Sequence, residues 1–267
     1  MFKITSLQNP KIKEVVKLRE RREREKTDLF LIEGYRELKR AIDAKRKVQT
    51  LFYCPELFLG SNERALLEQS GAELIHCTQE VFSKISYRDR PDGLLAVAPQ
   101  LHLRLADLPL SKNPFFVIAE SIEKPGNLGT ILRSCDAAGV DAVIVCDPTT
   151  DIHNPNVVRS SVGTLFTLPV LESTSEETLR FLKQHGISVV AATPHASLEF
   201  TQAPLFGPVA IAVGTEQYGL SPAWMDQADI SVKIPMFGIA DSLNVASATT
   251  LMLYEVVRQR ATRKRDF

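Results

Sequence analysis

With 267 residues, 44% hydrophobic and 24% charged, the chain has the size and composition of a globular protein of one or two domains. It contains no apolar run of about 18 residues and no signal-peptide core at its start, which argues against a membrane span, and its scattered cysteines fit a reducing cytoplasm. The net charge of zero hides basic ends. Residues 1–50 carry +7 and residues 258–267 carry +4, against −11 between them, as suits either a polyanionic partner or a salt-bridged helix face.

Asn9-Pro10 predicts a capped helix start, and Ile12, Val15, Val16 and Leu18 carry its apolar stripe to about Lys26. A strand follows at Phe30–Ile32 and ends at Gly34; the next helix places Leu38, Ala41 and Ile42 on one face. Val48–Cys54 reads as a strand, Glu63–Gln69 as a helix and Ala72–Cys77 as a strand, with a turn at Arg90–Gly93 before a strand at Leu94–Ala98. Residues 1–98 thus read as a small α/β domain, and the proline-bearing stretch 99–114 as a linker.

From 115 to 267, short Val/Ile/Ala runs recur at the spacing of βα units. They are Phe115–Ala119, Ala142–Cys146, Leu165–Val170, Ser188–Ala192, Val209–Val213 and Ser231–Ile234, with helical patterns between them and a long amphipathic helix over Ser242–Arg263. Such runs are buried on both faces, so the fold class is α/β with a mostly parallel, helix-covered sheet. The cysteines at 54, 77, 135 and 146 have no C-x-x-C spacing, and the five histidines include no i, i+4 pair, so no metal is expected.

Ligands of open α/β sheets sit beyond the carboxyl ends of strands, and three loops there hold candidate residues. Asn127-Leu-Gly129 opens a helix that carries Arg133 one turn on; the alternative is a surface pairing of Arg133 with Glu120 or Glu123. Gly214-Thr-Glu216-Gln-Tyr-Gly219 brackets Glu216 with glycines; Glu216 would bind a hydroxyl, position a basic group or cap a helix. Ile234-Pro-Met236 leads to Ser242-Leu-Asn244, where Ser242 is a nucleophile only against the missing G-x-S-x-G elbow and otherwise an N-cap, and the Asn244 amide is free for a ribose or a backbone segment. Neither G-x-G-x-x-G nor a P-loop is present, which disfavours a dinucleotide-binding enzyme.

In this order and on these elements, the three segments resemble the SpoU/TrmH family of RNA ribose methyltransferases, within the SPOUT superfamily. The matching residues are Asn127-x-Gly129-x-x-x-Arg133, Gly214-Thr-Glu216 with Gly219-Leu220, and Ile234-Pro-Met236 with Ser242-Leu-Asn244-Val245. Asn154-Pro155 with Val158–Gly163 looks like the intermediate segment of that family, and Asn9–Lys13 with Phe30–Gly34 like its small substrate-binding domain.

The resemblance implies a C-terminal SPOUT domain with a deep trefoil knot, S-adenosylmethionine as cofactor, and a homodimer to which the last helix contributes. Cofactor contacts would fall on Thr193, Gly214, Ile234, Met236 and Leu243, largely through backbone. Arg133 would orient and polarise the 2′-hydroxyl, with Asn127, Glu216, Ser242 and Asn244 holding it and the ribose, and Arg159 a second candidate for a phosphate. The substrate implied is RNA, ribosomal before transfer RNA; a non-catalytic RNA-binding protein that keeps the fold is the rival reading.

Overall fold

The computed structural model describes residues 3–263. They group into two compact units, one running up to Leu101 and taking in His153–Thr167, the other formed by His102–Ile152 and the chain from Leu168 onward.

In the first unit the chain forms β1 (Lys3–Ile4), α1 (Pro10–Lys17), α2 (Arg21–Thr27), β2 (Leu29–Glu33), α3 (Tyr35–Asp43), β3 (Thr50–Tyr53), α4 (Glu63–Gln69), β4 (Glu73–Cys77), α5 (Gln79–Ile85) and β5 (Leu94–Pro99). The sheet order is β1-β4-β3-β5-β2, with β5 antiparallel to both of its neighbours. Alternate strand residues Leu31, Phe52, Ile75 and Leu95 meet Ile12 and Val15 of α1 and Val81, Phe82 and Ile85 of α5 in one buried cluster.

The single helix expected to reach Lys26 is two helices, broken at Leu18–Glu20. Asn9 caps the first as expected, its Oδ1 accepting from Lys11 N at 2.9 Å. The break is held by arginines. Arg24 is buried and donates to the carbonyls of Leu18 and Arg19 at 3.0 and 2.7 Å, closing the end of α1. Arg19 turns to the end of α5 and donates to the carbonyls of Lys84, Ile85 and Ser86. Both therefore satisfy helix-end carbonyls that would otherwise lack donors. The helix α5 itself was not among the sequence expectations; Thr78 caps it by accepting from Val81 N at 3.4 Å.

The second unit holds β6 (Phe115–Glu120), α6 (Pro125–Ala138) and β7 (Ala142–Cys146). Helix α7 (Pro155–Ser160) then belongs to the first unit, capped by Asn154, whose Oδ1 accepts from Asn156 N at 2.9 Å. It contacts β2, and Arg40 of α3 donates to the carbonyl of Val162 at 2.7 Å. The strand expected at Leu165–Val170 is instead a 3-10 turn at Thr164–Phe166 followed by β8 (Val170–Ser173). Pro169 cannot donate to a sheet ladder, so the strand begins after it, and Leu165 and Phe166 are buried within the first unit.

The second unit continues with α8 (Ser175–Gln184), β9 (Ser188–Ala192), β10 (Leu198–Glu199), β11 (Val209–Val213), α9 (Pro222–Gln227), β12 (Ile230–Lys233) and α10 (Val245–Arg263). Its seven strands are ordered β10-β12-β9-β11-β6-β7-β8, and every strand pairing among the described residues is parallel, as the uninterrupted apolar runs predict. One face packs Phe116, Ile118, Ile144, Val189 and Ala212 against Leu179 and Leu182 of α8 and Trp224 of α9. On the other, α10 packs on α6 and β11, and the Arg260 guanidinium lies 5.0 Å from the centre of the Phe115 ring. Among the described residues no helix is long and apolar enough to cross a membrane. Lys264 and Arg265 of the basic chain end lie outside the described residues.

Candidate active site

Because β11 lies between β6 and β9, and β12 lies beside β9, the loops that leave the carboxyl ends of these four strands share one edge of the sheet. The loop after β6 enters α6 at Pro125, two residues before the expected start, so Arg133 sits two turns into the helix rather than one. At that depth the helix dipole no longer disfavours a cation, as it would one turn in. The loop after β11 closes on itself, Thr215 and Gly219 exchanging backbone hydrogen bonds of 3.0 Å each. A side chain on Gly214 would meet the Gly219 carbonyl oxygen at 2.1 Å, so only glycine permits this turn.

Glu216 is the centre of the site. Asn127 Nδ2 donates to its Oε1 at 2.9 Å and Asn244 Nδ2 to the same oxygen at 2.8 Å, while Lys124 Nζ pairs with its Oε2. Asn244 Nδ2 also reaches Asn127 Oδ1 at 3.1 Å. The Lys124 hydrogen bond, and after it the Asn127 one, holds the Glu216 carboxyl below the usual carboxylate range, and the same pairing raises Lys124. Three segments thus converge on one carboxylate, Asn127 from 89 residues before Glu216 and Asn244 from 28 after it, and all three were singled out from the sequence.

Some details differ from the sequence reading. Asn244, not Ser242, caps the last helix: its Oδ1 accepts from Ala246 N at 3.0 Å, and α10 begins at Val245 rather than near Ser242. Its amide is therefore fully engaged and not free. Glu216 caps no helix. Arg133 pairs with neither Glu120 nor Glu123; Glu120 is buried and accepts from Ser221 N at 2.8 Å. Arg133 is exposed and without a hydrogen bond or ion pair among the described residues, and Ser242 is likewise exposed and unbonded. Lys124 was missed; its position directly before the Pro-Gly of a helix start was the available signal.

Of the expected cofactor positions, Gly214 is buried, Thr193, Ile234 and Met236 are half-buried and Leu243 is exposed, all on the loops after β9, β11 and β12. The Thr193 amide is already used, donating to the Val232 carbonyl at 2.9 Å. Arg159 is exposed on α7 in the first unit. Among the described residues no group of three or more His, Cys, Asp or Glu side chains is placed to hold a metal ion.

A parallel α/β unit with a carboxylate-centred site on its carboxyl edge, built from these three motifs, defines an RNA ribose methyltransferase fold, and the chain belongs to the SpoU rRNA Methylase family, which residues 114–254 match. Residues 9–96 match the MRM3-like substrate binding domain. Among individual relatives, the 23S rRNA (guanosine(2553)-2′-O)-methyltransferase of Bacillus subtilis is 29% identical, covering 96% of this chain and 99% of its own. The 23S rRNA (uridine(2479)-2′-O)-methyltransferase of Streptomyces viridochromogenes is 32% identical over 90% of this chain and 86% of its own. A crystal structure of an RNA 2′-O ribose methyltransferase, 41% identical, superposes with a TM-score of 0.87 over 97% of this chain and all of that one. The SpoU methyltransferase AviRb from Streptomyces viridochromogenes in complex with AdoMet, 30% identical, gives a TM-score of 0.89 over 96% of this chain and 99% of that one.

Proposed function

We propose that the protein transfers a methyl group from S-adenosylmethionine to a ribose 2′-hydroxyl of 23S ribosomal RNA. The observation that carries this reading is the convergence of Asn127, Glu216 and Asn244 in one hydrogen-bonded cluster, with an uncommitted Arg133 on the helix that Asn127 opens. Membership of the SpoU rRNA Methylase family and the two 23S-specific relatives support it.

The residues present fit S-adenosylmethionine. The turn at Gly214 brings bare backbone to the strand edge, and half-buried Ile234 and Met236 offer apolar side chains beside it, a lining suited to an adenosine and an alkyl sulfonium. Thr193, Gly214, Ile234, Met236 and Leu243 would hold it, with Thr193 contributing through its carbonyl or hydroxyl because its amide is taken. When bound, the cofactor supplies an electrophilic methyl on sulfur. The ribose 2′-oxygen bonds to that carbon as the carbon–sulfur bond breaks, and the hydroxyl proton passes to water or a neighbouring phosphate.

Arg133 donates to the 2′-oxygen and stabilises the charge that grows there, since a guanidinium is always protonated and cannot act as the base. Glu216 accepts on both of its oxygens already, so it braces rather than deprotonates. Asn127 and Asn244 hold the loop ends in register, and Ser242 is free to meet the ribose.

RNA would lie on cations left over after folding. Arg19, Arg24, Arg40 and Arg88 are consumed by carbonyls and carboxylates within the first unit. Lys45-Arg46-Lys47 is a run of three cations with no ion pair among the described residues, and Arg36 and Arg159 are exposed and unpaired. We further infer a homodimer through Leu251 and Tyr254 on α10 with Phe237 and Ile239 of the preceding loop, all exposed apolar side chains. The trefoil knot and a cytoplasmic site of action accompany the family reading. The test is transfer of tritium-labelled methyl to unmodified RNA separated into ribosomal and transfer fractions, with alkali resistance of the adjoining linkage marking the 2′-oxygen. Label in transfer RNA alone, or none with the cofactor tightly bound, would overturn it.

A further inference from the structure

Lys124 occupies a position that helix physics disfavours. It is the N-cap residue of α6, its side chain makes no capping bond, and a cation there opposes the positive end of the helix dipole. Pro125 at the next position supplies no N–H for a cap to satisfy. Local structure therefore gives no reason for a lysine. The reason lies 92 residues away, in the ion pair with Glu216 Oε2.

Two cations stand on α6 and its cap, and Lys124 feels two carboxylates: Glu216, which it bonds, and more weakly Glu123, its neighbour in the chain. The ion pair commits Lys124 to Glu216 and leaves Arg133 without a partner. The two carboxylate oxygens divide their work: Oε2 faces Lys124, while Oε1 takes both amides, Asn127 at 2.9 Å and Asn244 at 2.8 Å. A carboxylate that lost its Oε2 partner could turn, and either amide would then lose the geometry that aligns it. We infer that Lys124 is a positioning residue for methyl transfer, locking the Glu216 carboxylate against Asn127 and Asn244 so that Arg133 stays uncommitted. The inference rests on the proposed active site and adds to it a residue outside the three motifs. The direction of the Glu216 titration agrees with it, since the Lys124 hydrogen bond is the largest influence lowering that group.

The experiment measures kcat and KM for methyl transfer to a 23S rRNA transcript across pH, using the full-length wild type and the variants Lys124→Gln, Lys124→Arg, Glu216→Gln and the Lys124→Gln/Glu216→Gln pair. Thermal unfolding and calorimetric titration with S-adenosylmethionine confirm that each variant folds and binds. Lys124→Gln is expected to lower kcat about tenfold, as small misalignments at reacting centres do, with KM for RNA within about twofold. Its acid limb should move to higher pH, because Glu216 loses the partner that keeps it ionised. Lys124→Arg should recover most of the rate. In the Glu216→Gln background, loss of Lys124 should cost nothing further, the sign of a residue acting through its partner. A loss of equal size in both backgrounds, with a raised KM and a weaker salt dependence, would show that Lys124 grips an RNA phosphate directly and would overturn the inference. Wild-type kinetics for Lys124→Gln alone would do the same, whereas wild-type kinetics for Glu216→Gln would bring down the active-site reading itself.

Discussion

Asn244 and Glu216 are joined at 2.8 Å by a bond whose donor is also the cap of the last helix. One side chain thus sets where α10 begins and where the site carboxylate points. Replacement by Ala should remove both, destabilising the fold by about 0.5–2 kcal/mol as lost caps do. Asn244→Asp separates the two roles: the cap acceptor survives while a second carboxylate faces Glu216. We expect near-normal unfolding and a kcat reduced by at least tenfold on the order of one lost charge-compatible hydrogen bond. Normal turnover in Asn244→Asp would remove the link between cap and catalysis.

Arg133 is exposed and makes no bond among the described residues, so its replacement should leave the fold alone. Arg133→Ala is expected to change stability by less than about 0.5 kcal/mol. Methyl transfer should fall by roughly a hundredfold or more, the scale for losing a donor to a developing oxyanion. Cofactor affinity should hold. Turnover retained in a single-turnover assay would take Arg133 out of the mechanism.

Glu33 is fully buried at the end of β2, where Ser86 Oγ donates to one oxygen and Tyr87 N to the other at 3.0 Å. Burial outweighs these bonds and raises its carboxyl above the usual range; burial raises Glu37 too, against the pull of Arg88. The charges facing Glu33 are Arg88, which lowers it, and Asp92, which raises it. A raised acid binds its proton more tightly when folded, so its contribution is complete below the ordinary carboxylate range and is lost as pH rises through the folded value. Glu33→Gln should flatten that part of the stability-against-pH curve, measured by urea unfolding between pH 4 and pH 8 (roughly the span of carboxylate titrations). An unchanged slope would assign the titration elsewhere.

Lys45-Arg46-Lys47 follows α3 with no acidic partner among the described residues. If these cations lie on RNA phosphates, changing all three to Ala should make the log Kd against log salt slope shallower by about 2, at roughly 0.7 per contact for single strands. Cofactor binding should not move. An unchanged slope by filter binding would place the RNA on other cations of the first unit.

The parallel sheet was legible because buried strands write themselves as continuous apolar runs, and the meeting of the three loops at the candidate site because each directly follows one of those strands. Asn9 and Asn154 announced their helices through a cap and a proline. The hidden features depend on tertiary contacts. Nothing near Leu18 shows that a buried Arg24 will end a helix there. Nothing near Asn244 shows that its amide will be spent on Glu216, 28 residues away. Pro169, by contrast, was visible and should have moved the start of β8.

The segment His153–Thr167 has a consequence for synthesis. It lies inside the stretch that matches the methyltransferase family, yet it is packed into the first unit, where the His153 and Phe166 rings lie 4.8 and 6.2 Å from that of Phe30. Domains emerging from a ribosome ordinarily fold as soon as their last residue appears, at roughly 5–20 residues per second. Here the first unit cannot finish when Leu101 emerges; it must wait several seconds for Thr167, with the Phe30 side chain of β2 uncovered while β6 and β7 are being made. A nascent chain halted between these two points is where a chaperone would find the most to hold.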